Sequence, residues 1–70
     1  MNKKTIKALE KRILRRMMAA ETELKQYLKA DTAGVPARQL DGLMVRIEEL
    51  CGKITADQNR LMFLQEISEE

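Results

Sequence analysis

The sequence predicts an all-α fold: two long helices joined by a short turn and folded back on each other as an antiparallel hairpin. Three observations carry the prediction. Apolar residues recur every three or four positions along two separate stretches. The only proline and one of the three glycines fall together between those stretches, in "KADTAGVPARQ". The apolar positions of the two stretches then pair off in one common register.

The first stretch has its apolar positions at Ile6, Leu9, Ile13, Met17, Ala20, Leu24 and Tyr27 or Leu28. That spacing puts them on one face of a helix over about residues 3–30. Asp31 and Thr32 bring turn chemistry, and Gly34 can take the left-handed conformation that ends many helices. Pro36 suits a first helical position, where its missing N–H costs nothing. The turn therefore falls at about residues 31–35, and a second helix covers about residues 36–67. Its apolar positions are Leu40, Leu43, Ile47, Leu50, Ile54, Leu61 and Leu64, a heptad seam interrupted at Asp57.

Folded antiparallel, Ile6 meets Leu61, Ile13 meets Ile54, Met17 meets Leu50, Ala20 meets Ile47, Leu24 meets Leu43, and Tyr27 meets Leu40. The numbers in every pair sum to 67, and half of that lies in the turn. The expected seam is thus Ile6, Ile13, Met17, Leu24, Leu43, Ile47, Leu50, Ile54 and Leu61, with arms on the order of 40 Å long. Two features interrupt the second arm. Gly52 costs about 1 kcal/mol in a helix interior relative to Ala. "TADQ", residues 55–58, resembles a capping box, so a break near residues 52–57 is the alternative to a continuous or mildly bent helix. Asp57 either fixes register as a buried polar residue or lies where the arms splay. Splaying is the expectation, because this register sets Glu10, a like charge, opposite it.

Seventy residues make a single domain over 1–70, too short to build a large core alone. One cysteine excludes an intramolecular disulfide, and the lack of histidine excludes a Cys/His zinc site. No metal or cofactor is expected. No apolar run approaches the roughly 20 residues of a membrane span. The charged start "MNKKTIKALEKR" has no signal-peptide core, and with a lone thiol it points to the cytoplasm. No phosphate loop or nucleophile–base pair is visible, so no enzymatic activity is expected. Glu48 and Glu49 point in different directions into solvent. Cys51, beside Leu50, is expected to pack as a small hydrophobe.

The formal charge of +2 conceals an asymmetry. Residues 1–30 carry nine basic and three acidic side chains, a net +6; residues 31–70 carry four and eight, a net −4. A basic arm can bind nucleic acid or an anionic membrane, but it contains no aromatic residue to stack on bases. The hairpin also lays Lys3, Lys4 and Lys7 beside Glu66, Glu69 and Glu70. Self-complementarity is therefore the stronger reading, and it argues against nucleic acid as the main partner.

The seam leaves apolar residues over. In "RLMFLQEI", residues 60–67, four consecutive apolar side chains point around the whole circumference of the helix. Leu14 and Met18 flank the first seam; Met44, Cys51, Met62 and Phe63 flank the second. An uncovered apolar patch marks an interface, so Leu14, Met18, Met44, Met62 and Phe63 are candidate partner contacts. The occupant is another protein, or a second copy in a four-helix bundle.

The stretch "MMAAETELKQYLKADTAGVPARQLDGLMVRIEELCGKI", residues 17–54, resembles the YscE/EscE-type co-chaperones of type III secretion needle subunits in size and pattern. The resemblance implies a bacterial hairpin that binds a helical-repeat chaperone and with it keeps a needle subunit monomeric before export. "ARQLD" is similar to the Ser-x-x-x-Asp signature of the sporulation aspartyl-phosphate phosphatases, with Asp41 matching and Ala37 in place of the serine. The architecture also resembles the Rop-like RNA-binding hairpin dimers.

Overall fold

The computed structural model describes residues 2–69. Two helices, α1 (Lys3–Lys29) and α2 (Ala37–Glu69), pack against each other as a hairpin with extents of 53 × 14 × 12 Å. Asn2 caps α1: its side-chain oxygen accepts from the Thr5 N–H at 2.8 Å, satisfying one of the unpaired donors of the first turn. At the far end the Ala30 N–H reaches the Tyr27 carbonyl at 3.2 Å.

The connection is a stack of local hydrogen bonds. The Asp31 carboxylate accepts from the Ala33 N–H at 2.9 Å, and the Thr32 carbonyl accepts from the Val35 N–H at 3.1 Å. Gly34 occupies the third position of that β-turn with φ +82°, a conformation that L side chains resist. The Pro36 carbonyl then accepts the first α2 bond, from the Leu40 N–H at 3.0 Å. Proline thus stands just outside the helix it opens.

α2 runs unbroken through Gly52 and "TADQ". The alternative of a break near residues 52–57 is not realised. Gly52 stays helical with open space where a Cβ would stand, and packing along the arm outweighs a propensity penalty of about 1 kcal/mol.

The buried positions form two lines with heptad spacing: Ile6, Ile13 and Ala20 on α1, and Leu50, Asp57 and Leu64 on α2. Ile6, Ile13 and Leu64 cluster, with Leu9 and Leu61 packed against them. Leu24, Met17, Leu43, Ile47 and Ile54 are half-buried beside these lines. Aligned antiparallel, Ile6 stands by Leu64, Ile13 by Asp57, and Ala20 by Leu50. This alignment lies about three residues, or about 4.5 Å, from the register expected from the apolar pattern alone. The difference comes from Asp57, which that pattern had excluded from the seam. Among the described residues, no ion pair joins Lys3, Lys4 or Lys7 to Glu66 or Glu69; Glu70 lies outside them.

The two glycines should respond oppositely to alanine. Gly34→Ala forces a β-carbon into left-handed backbone and should cost about 1 kcal/mol. Gly52→Ala fills open space in a helix and should gain about 1 kcal/mol. Urea unfolding followed by circular dichroism should show the midpoints moving in opposite directions.

Candidate functional site

The least exposed charge lies at the middle of the seam. Asp57 is 1% exposed, and its carboxylate takes three guanidinium bonds. Arg16 grips both oxygens from α1, Nε to Oδ2 at 3.0 Å and Nη2 to Oδ1 at 2.7 Å. Arg60, one turn along α2, donates Nη1 to Oδ1 at 2.7 Å. The expected splaying at Asp57 is therefore overturned. The aligned residue across the seam is Ile13 rather than Glu10, and Arg16 turns in from the next layer to neutralise the carboxylate.

Hydrogen bonding from Arg16 leads in pulling the Asp57 carboxyl down to about 2, with Arg60 adding to it and burial opposing. The same bond raises the Arg16 pKa. A second cross-helix pair lies nearer the turn. Arg46 clasps Glu23 through Nε at 2.7 Å and Nη2 at 3.0 Å, and reaches Glu49 at 3.2 Å. Arg46 bonding lowers the Glu23 pKa, helped by the Tyr27 hydroxyl.

These bonds identify the two sides of the hairpin. On the polar side, Arg16, Ala19 and Glu23 face Arg46, Lys53 and Arg60 across a groove. The groove continues toward the open end past Leu9, Arg12, Phe63 and Ile67. On the opposite side, helical geometry places Leu14, Met17, Met18 and Leu24 beside Leu43, Met44, Ile47, Ile54, Leu61 and Met62. The five sequence-predicted contact residues, Leu14, Met18, Met44, Met62 and Phe63, are all exposed, from 42% at Leu14 to 62% at Met18. They do not form one surface. Leu14, Met18, Met44 and Met62 lie on the apolar side, whereas Phe63 lines the groove on the polar side.

Ile67, Val45 and Leu28 are further exposed apolar residues that the seam pattern did not single out as contacts. Cys51 is exposed on the apolar side rather than packed as a small hydrophobe. Asp41 and Ala37, which match the phosphatase signature in part, are both exposed near the start of α2.

No helix among the described residues is long and apolar enough to cross a membrane. No family model, curated protein or solved structure matches the chain.

The Asp57 cluster makes a signed prediction. A folded-state pKa of about 2, against an ordinary 3.8, gives a contribution fully present above about pH 4 and lost as pH falls through about 2. Thermal unfolding should therefore show a falling midpoint across that window, with a shallower fall in Asp57→Asn. At pH 7, Asp57→Ala should cost about 2 kcal/mol, since both arginines are half-exposed and can return to water.

Proposed function

We propose that this hairpin is a protein-interaction module. Its specific role would be that of a cytoplasmic co-chaperone which, with a helical-repeat chaperone, keeps a type III secretion needle subunit soluble before export. The observation supporting an interaction role is the exposure of Leu14, Met18, Met44, Met62 and Phe63 on a hairpin whose seam is already closed. The secretion role rests on the resemblance of residues 17–54. The mechanism is burial of helix against helix, which removes apolar surface from water on both partners. Methionine suits such a surface because its unbranched side chain adapts to the shape it meets.

The experiment is capture from bacterial cell extract with the tagged chain, followed by mass-spectrometric identification. A helical-repeat chaperone or a needle subunit should be recovered with the native chain. Met18→Asp and Phe63→Asp should each reduce that capture at least tenfold while leaving the far-ultraviolet circular dichroism unchanged. Undiminished capture by both variants would show that these surfaces are not the interface.

The cations of the polar groove, Arg12, Arg16, Arg46, Lys53 and Arg60, favour a second reading as a homodimeric RNA-binding regulator. Glu23 and Asp57 already neutralise part of that line. This reading predicts retention on RNA that falls steeply with added salt; absence of retention at low salt would eliminate it.

A further inference from the structure

We infer that the apolar side of the hairpin is covered by a second copy of this chain, giving a four-helix bundle as the resting state. Such a bundle requires no heterologous partner. The chain exposes 5769 Å², whereas a compact protein of 8.1 kDa exposes about 4,500 Å². Its radius of gyration is 16.2 Å against about 11 Å for a compact 70-residue domain. The excess surface, about 1,300 Å², exceeds the roughly 800 Å² that each partner buries in a standard stable interface.

Charge then selects the face and the occupant. A two-fold contact sets a surface against itself, so a surface with an excess of one sign repels its own copy. The polar groove has such an excess: Arg12, Arg16, Arg46, Lys53 and Arg60 against Glu23, Asp57 and the Glu49 that pairs with Arg46. The apolar side is close to balanced. Between residues 40 and 65, its α2 positions nearest the seam, centred on Leu43, Met44, Ile47, Ile54 and Leu61, hold no Asp, Glu, Lys or Arg, while Asp41 and Glu48 lie on the outer line of Met62. Its α1 edge carries both signs, Glu10 and Glu21 with Lys3, Lys4, Lys7, Lys11 and Lys25. An extended uncharged strip gives a charged partner nothing to pair with, but meets its own copy without electrostatic cost. Met17, Leu24, Leu43, Ile47, Ile54 and Leu61 are half-buried by one hairpin alone, and a second hairpin would complete their burial.

Sedimentation velocity of the purified full chain at about 50 µM, above the micromolar weak end of interfaces of standard size, tests the inference. The expected mass is twice 8.1 kDa. Met44→Asp should weaken self-association at least tenfold with helicity retained, whereas Phe63→Asp, on the other side, should remain dimeric. Peroxide footprinting of the native chain supplies a readout that needs no variant. Met18 and Met44 should become protected as concentration rises. A native chain that sediments at 8.1 kDa, or a dimer in which Met18 and Met44 gain no protection, overturns the inference. So does a dimer dissociated by Phe63→Asp but not by Met44→Asp. Failure of partner capture with an intact dimer would count against the proposed function alone.

Discussion

A carboxylate in the middle of an apolar seam fixes how the two arms of this hairpin align. Leucine and isoleucine layers tolerate sliding, because one apolar contact resembles the next. Asp57 does not, since its oxygens must find donors wherever they are buried. Arg60 supplies one from the same helix in any register. In the observed alignment Arg16 reaches across and grips both oxygens. A buried polar group that specifies register at some expense of stability is a known device in coiled coils, and the Asp57 cluster has that form. The Arg46–Glu23 pair repeats the pattern nearer the turn.

Register in turn decides which apolar residues are left over. With Asp57 inside, the buried lines are Ile6–Ile13–Ala20 and Leu50–Asp57–Leu64. The half-buried residues Met17, Leu24, Ile47, Ile54 and Leu61 flank those lines on the apolar side, where Leu14, Met18, Met44 and Met62 extend them outward. Arg12, Arg16, Arg46 and Arg60 gather on the other side with Phe63. One ion-pair cluster thus connects the packing of the seam to the division of the surface into an apolar side and a cationic groove. A two-helix hairpin has no third element to cover either face, which is why so elongated a molecule retains so much apolar surface.

Much of this was legible in the chain itself. The heptad spacing on both stretches and the Asp31–Gly34–Pro36 punctuation specify an all-α hairpin. These signals are local: each depends on residues within one or two turns of one another. The surplus in residues 60–67 was also readable, because consecutive apolar residues on a helix cannot share one face.

What the tertiary structure decided was non-local. The place of Asp57 depends on Arg16, which is 41 positions away in the chain. Read from periodicity alone, an aspartate at a seam position is an interruption, and the register in which the apolar pairs agree best leaves it out. Continuity of α2 past Gly52 follows the same logic, since packing along both sides of the glycine outweighs its weak local preference. The separation of Phe63 from Met18 and Met44 follows from the register. Sequence determined the helices and the amount of apolar surface they carry; only the meeting of the two arms settled which charge is buried and which face is left open.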